Sequence, residues 1–366
     1  MPDLRSGWQH RAGDAATPAI LALTQGDPAG IGPEILLKSL AARFGPFAPQ
    51  TWNDPGSPVI VLIAERAALE AVAALVPDFP WERLTAIESP DRATLERLDG
   101  RIALLDPVAE RRTIELGRSG AADARAAMAA LDAGIDLARR GVVDAIVTAP
   151  VSKESIATHA LPGFVGHTDY LAEACGLEKY GRDYLMAFLA PGMQVALLTV
   201  HLPLRQAIGQ IGRENVLDAL ACLDRHAGGR IALAGLNPHA GEGGLLGTEE
   251  TELLAPVVAE ARSRGIDVHG PESADSLFAR LVRGEFDWAL ALYHDQGLIA
   301  VKSAAFGLAT NWTLGLPFLR TSVDHGTAFA LAGTGRADAS PMIAVLETTR
   351  QILAGELPRR GSAKRA

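Results

Sequence analysis

"YLMAFLAPGMQVALLTV", residues 184–200, holds two apolar runs, YLMAFLA and QVALLTV, separated only by Pro-Gly-Met. Each run has the length and composition of a buried strand, and a break that short can only turn the chain back on itself. The two strands must be antiparallel neighbours. Upstream the pattern differs: "AILALTQ" precedes "GPEILLKSLAARF", "PVIVLIA" precedes "ERAALEAVAALV", and a long helical stretch near 119–140 precedes "VDAIVTAP". Strand-like runs alternating with helical periodicity define an α/β fold whose strands are buried on both faces. The hairpin makes that sheet mixed. Further on, "RIALAGL", "FDWALALY" and "LATNWTLGL" each end in polar or glycine-rich sequence. Those strand ends are where an open α/β sheet places its ligands.

A chain of 366 residues is long for one core, so one large or two closely apposed domains are expected. Residues 1–18 read as a flexible extension, 19–355 as two apposed α/β domains forming a single catalytic unit, and 356–366 as a flexible tail. The proline-rich stretch 44–58 reads as a surface loop. A hydrophobic content of 48% with 21% charge excludes wholesale disorder, and no stretch approaches the roughly 20 apolar residues that cross a bilayer. A net charge of −9 offers no basic field for a polyanion. Nucleic acid and membrane are therefore excluded as expected partners. Cys175 and Cys222 are too few for a disulfide framework, and the opening residues lack the apolar core of a secretory signal. A cytoplasmic, reducing location is expected.

Four histidines follow apolar runs and open onto polar or glycine-rich sequence: His167 in "VGHTDYL", His201 in "LLTVHLPL", His239 in "LNPHAGEGG" and His294 in "ALYHDQGL". Neutral imidazoles bind divalent metals well, and three such ligands leave positions open for a substrate. The spacings are too long for one helix; they suit three strand ends converging on one pocket, or a pocket shared between subunits. Each histidine taken alone is more often a structural residue; four together point to a metal. "NPHAGEGG", 237–244, is either a loop that grips a ligand or an ordinary glycine-rich turn. "TQGDPAGIGPEI", 24–35, puts glycines ahead of a helix, which makes either an anion site or a tight turn. With glycines at 26, 30 and 32 it is not the dinucleotide fingerprint, and it has no Walker lysine. Asp295 and Lys302 lie close to His294, and "TNWTLGLPFLRTS" adds Asn311 and Arg320. Cations set among apolar residues meet an anionic carboxylate or phosphate. Arg320 is expected away from the core, with little effect on stability.

Together "TQGDPAGIGPEI", "GHTDYL", "HLPL", "GLNPHAGEGG", "GTEE", "YHDQGL" and "NWTLGLPFLRTSVDHGTAFALAGTGRAD" resemble the successive blocks of the 4-hydroxythreonine-4-phosphate dehydrogenase family of pyridoxal phosphate biosynthesis, in order from about 19 to about 350. The resemblance implies a fold similar to the isocitrate and isopropylmalate dehydrogenases: two domains around an active-site cleft at the interface of a homodimer. It implies one divalent metal, zinc, magnesium or cobalt, on His201, His239 and His294, and substrate contacts from His167, Thr168, Lys302, Asn311 and Arg320. The base is Asp295 or Lys153. The block 324–338 is similar to the cofactor loop of the isopropylmalate dehydrogenases, which places the adenosine half of NAD or NADP near His325, Gly326, Thr327 and Asp338. Ser152 and Asp169 depart from residues common among relatives.

The reaction so implied is metal-dependent, NAD(P)-linked oxidation and decarboxylation of 4-phosphooxy-L-threonine to 3-amino-2-oxopropyl phosphate. The alternative is a 4-phospho-D-threonate or 4-phospho-D-erythronate dehydrogenase of sugar-acid catabolism. A metal-dependent hydrolase or aldolase could use the same histidines, and a silent sugar-phosphate binding protein could use the same cations. The three histidines together with "DHGTAFALAG" favour the dehydrogenase.

Overall fold

The computed structural model describes residues 18–44, 57–98, 100–109, 111–305 and 307–356. The expected extension apart from residue 18, the expected tail apart from residue 356, and residues 45–56 of the proline-rich stretch lie outside the described residues. In chain order the strands are β1 (Ile20–Thr24), β2 (Val59–Ile63), β3 (Leu84–Ala86), β4 (Ile102–Leu105), β5 (Ala145–Thr148), β6 (Leu185–Ala190), β7 (Met193–Leu197), β8 (Ile231–Ala234), β9 (Val268–Glu272), β10 (Trp288–Ala291), β11 (Thr310–Leu314) and β12 (Leu319–Ser322). The helices are α1 (Gly32–Phe44), α2 (Arg66–Val72), α3 (Arg92–Glu96), α4 (Ala121–Arg139), α5 (Lys153–His159), α6 (His167–Ala174), α7 (Leu204–Gly209), α8 (Arg213–His226), α9 (Ala255–Ser263), α10 (Ala274–Val282), α11 (His294–Ala305) and α12 (Ser340–Leu353).

The chain divides into two compact units, one from Met1–Ala174 with Pro317–Gly355, the other chiefly Cys175–Leu316. In the first unit the strand order is β3-β4-β2-β1-β5-β12, all parallel. Every residue of β1, β2, β5 and β12 is buried. That double-sided burial is why these strands read as unbroken apolar runs rather than alternating ones. The segment leading into α4 is tied down by Arg112, which grips Glu65 through two 2.7 Å bonds and Asp123 through a third at 2.8 Å.

In the second unit the order is β11-β6-β7-β10-β8-β9. β6 runs antiparallel to both β7 and β11, and the remaining pairs are parallel. The register pairs Ala190 with Met193, leaving Pro191 and Gly192 as the turn. Gly192 has φ +74°, the left-handed torsion a tight turn needs after proline and one that glycine adopts at little cost. Trp288, Leu290 and Leu197 are completely buried in this sheet. The consequence for function is positional: β7, β10 and β8 are neighbours, and each is followed by one of the candidate histidines.

Candidate active site

The first unit opens a cavity of about 320 Å³ beyond the C-terminal ends of β5 and β12, lined by Thr148, Lys153, His167, Ser322, His325 and Gly326 among others. Residues separated by more than 170 positions share it because β12 pairs with β5, setting Ser322 opposite Thr148. Four of the residues expected from sequence, Lys153, His167, His325 and Gly326, are thus brought together. Lys153 begins α5, whose entry is capped by the Ser152 hydroxyl accepting the Ser155 N–H at 3.1 Å. His167 begins α6, and Thr168 beside it is buried. Burial, then the positive charges of Arg320 and Lys153, hold the His167 imidazole well below its ordinary range. It is neutral at pH 7 and can both donate and accept.

Arg320 overturns its expected place away from the core: it is only 2% exposed, in the middle of β12. Its side chain donates to the Thr148 hydroxyl at 2.7 Å. The reason is the strand's place in the sheet: all four residues of β12 are buried, so Arg320 is enclosed whichever face it points to, which the local sequence does not reveal. Burial lowers the guanidinium pKa to about 9, leaving it protonated at neutral pH. A desolvated cation is a strong partner for an anion.

His325 sets its Nδ1 3.0 Å from the Gly326 carbonyl, and the adjoining cavity is open above Gly326, where a side chain would meet nothing. Asp338 accepts the Ser340 N–H at 2.9 Å; that bond and the Ser340 hydroxyl, with smaller contributions from His325 and Lys38, hold its carboxylate below the usual range. The segment therefore offers an imidazole, a bare glycine and an ionised carboxylate, donors and acceptors suited to ribose hydroxyls and a diphosphate. The turn 24–35 has a different character. It is buried throughout, and a side chain at Gly32 would overlap the Gln25 carbonyl, so it is a packed turn rather than an open anion site.

In the second unit His201 follows β7 and His294 follows β10, with ring centroids 5.5 Å apart. His294 Nδ1 lies 2.7 Å from an Asp295 carboxylate oxygen. That contact fixes the ring's orientation and leaves Nε2 for another partner. His239 follows β8 on the other flank of β10, in a turn where five successive residues, His239 to Gly243, have φ between +44° and +79°. Non-glycine residues in that region cost roughly 1 kcal/mol each. Glu250 offsets the strain by accepting the N–H groups of Leu236 and Asn237, both at 2.7 Å, and the Asn237 side chain at 2.9 Å. Burial raises the Glu250 pKa, but the bonds from Asn237 outweigh it and hold the carboxylate ionised.

His239 is exposed and near Asp275, and among the described residues no three His, Cys, Asp or Glu side chains form a metal-holding group. His201 and His294 are the pair this chain brings together; their imidazole donors suit zinc or cobalt better than magnesium, which prefers oxygen. Lys302 lies on α11 and Asn311 on β11, where the Asn311 side-chain oxygen is buried without a hydrogen-bond donor.

Sequence reasoning passed over Thr148, Glu250, Asn237 and Gln296. Gln296 bridges two strand ends, accepting the Leu292 N–H and donating to the Gly235 carbonyl, each at 2.7 Å. The signal was there: Gln296 and Glu250 sit inside the quoted blocks as polar residues, Gln296 close to His294, but their partners lie 4 to 61 residues away.

Parallel strands ending on a lysine- and histidine-lined cavity, a buried arginine and a histidine pair define an α/β enzyme of small anionic molecules. The chain matches the family model of the pyridoxal phosphate biosynthetic protein PdxA over residues 57–349, and it belongs to that family. It is 42% identical to a 4-hydroxythreonine-4-phosphate dehydrogenase of Burkholderia vietnamiensis over 341 residues, 90% of this chain and 94% of that one. A D-threonate 4-phosphate dehydrogenase of Salmonella typhimurium is 36% identical, with 91% of this chain and 98% of the relative covered. The crystal structure of a 4-hydroxythreonine-4-phosphate dehydrogenase from Klebsiella pneumoniae superimposes with a TM-score of 0.74 at 33% identity, covering 92% of this chain and 99% of that one.

Proposed function

We propose that this chain oxidises 4-hydroxythreonine 4-phosphate at its secondary hydroxyl with a nicotinamide dinucleotide and releases carbon dioxide, yielding 3-amino-2-oxopropyl phosphate for pyridoxal phosphate synthesis. The observation that carries the reading is the cavity shared by Lys153, His167, His325 and Gly326 beside buried Arg320, in a chain of the PdxA family. A phosphorylated hydroxy acid carries two anionic groups, and Arg320, Lys302, Asn311, His167 and Thr168 supply the cation and donors they require. His167, kept neutral, hydrogen-bonds without adding charge. Lys153, which lines the cavity, would take the proton of the reacting hydroxyl as the neutral amine, after giving up its own ammonium proton to solvent. Asp295 is the lesser candidate because its carboxylate already orients His294.

His201, His294 and His239 would hold a divalent metal, zinc or cobalt by the chemistry of the donors, with ligands drawn from two copies of the chain in a homodimer. When bound, the metal supplies Lewis-acid polarisation of the hydroxyl and the dinucleotide supplies the hydride acceptor. Either NAD or NADP would lie along His325, Gly326, Thr327 and Asp338. Exposed apolar side chains on α7, Leu204 at 54% and Ile208 at 44%, support self-association. Both cysteines are free, which suits the cytoplasm.

The test is a side-by-side assay, at the absorbance of reduced nicotinamide, of 4-phosphooxy-L-threonine, 4-phospho-D-threonate and 4-phospho-D-erythronate with metal and either dinucleotide. The amino acid should have the highest kcat/KM. Preference for a sugar acid would move the chain to the activity that its Salmonella relative is named for, and no reaction with any of the three ends the dehydrogenase reading.

A further inference from the structure

On α1, Glu34 and Lys38 lie one turn apart, and the pair does more than bridge the helix surface. Glu34 is completely buried; its carboxylate accepts the Lys38 ammonium at 2.7 Å and the Ala337 N–H at 3.3 Å. The ammonium also donates to the carbonyl oxygens of Gly335 and Ala337, each at 2.8 Å. An ammonium has three protons, and here all three have named acceptors. Two of those acceptors are main-chain oxygens nearly 300 residues downstream.

The tie has a counterpart at the other end of the same segment. In the turn that leads into α1, the Ile31 N–H donates to the Thr327 carbonyl at 3.0 Å. One helix and its entry turn thereby hold both ends of the stretch running from His325 to Asp338. An ordinary helix-surface lysine–glutamate pair at this spacing contributes only a few tenths of a kcal/mol and touches no distant main chain. The geometry of Lys38 is that of a clamp on the segment, with Glu34 as its buried anchor.

We infer that Lys38 is a positioning residue for the nicotinamide dinucleotide: by fixing the carbonyls of Gly335 and Ala337 it sets the place of Asp338 and of the segment that begins at His325. This rests on the assignment of that segment to the dinucleotide under the proposed function. Lys38 itself touches no reacting atom, so its loss moves the cofactor's affinity and leaves the phosphorylated substrate's unchanged.

The experiment uses the full-length, metal-loaded protein and the variants Lys38→Met, Lys38→Arg and His325→Ala. Dinucleotide affinity is measured directly by calorimetry with NADH and NADPH, alongside KM for dinucleotide and for phosphorylated substrate. Lys38→Met should weaken dinucleotide binding about tenfold, the equivalent of about 1.4 kcal/mol, with KM for substrate within about twofold of the parent. Lys38→Arg, which keeps the charge and several donors, should recover most of the loss. If Lys38→Met does not fold, Glu34→Gln carries the same test, because it removes the anchoring charge while keeping an acceptor for Ala337. Unchanged dinucleotide affinity in Lys38→Met with a clear loss in His325→Ala overturns the positioning role and leaves the segment's assignment standing. No loss in either variant while turnover persists overturns the assignment as well. A parallel rise of both KM values marks a general disturbance of the fold and also overturns the inference.

Discussion

Replacing Arg320 with methionine should make the protein more stable and nearly inactive at once. The side chain is 2% exposed, and burial lowers its pKa from the ordinary 12.5 to about 9. At neutral pH the group is protonated in both folded and unfolded states, but the folded state holds the proton less tightly. The charge therefore costs the fold roughly 5 kcal/mol at pH 7, at about 1.4 kcal/mol per pKa unit, a cost that disappears only as pH rises from 9 towards 12.5. Arg320→Met keeps most of the volume and removes that cost. It also leaves the Thr148 hydroxyl without its 2.7 Å partner, worth about 1–3 kcal/mol. The balance is a gain of a few kcal/mol, or a Tm higher by several degrees. The same change removes the buried cation for the substrate's anionic group, so kcat/KM should fall by about 100-fold or more. Calorimetry with and without substrate reads both effects, since ligand should raise the Tm of the parent and not that of the variant. A variant several degrees less stable with unaltered kinetics would refute the reasoning, because the guanidinium would then serve the fold and not a ligand.

Zinc measured by equilibrium dialysis should bind the parent and fall to background in His294→Ala, while His269→Ala, at a histidine on β9 whose ring lies against Asp267, should bind as the parent does. The ring resonances of His167 should titrate well below the ordinary histidine range, and Lys153→Met should raise that titration by removing one of the charges that depress it. The sign for stability follows: below pH 6.5 the unfolded chain takes up a proton at His167 that the folded chain refuses, so stability falls with pH, and less steeply in the variant.

Much of this molecule is legible in local sequence. The hairpin at 184–200 follows from two apolar runs with Pro-Gly between them, and α1 covers the residues whose periodicity and proline at the start predict it. The histidines at strand ends could be picked out because a buried strand is a short apolar run and a change to glycine and polar residues marks its end. Such signals are short-range: torsion, periodicity and turn chemistry act over a few residues. Which strand edges meet is decided elsewhere. β12 lies beside β5, 174 residues earlier in the register, and only that pairing puts Arg320 against Thr148 and His325 into a cavity with His167 and Lys153. The same holds for Lys38, an unremarkable helix-surface lysine in sequence whose ammonium closes on carbonyls of a distant segment. Local sequence determines which elements form and where each ends; the burial of a charge, and the partners of a polar group, depend on long-range packing that no window of neighbouring residues contains.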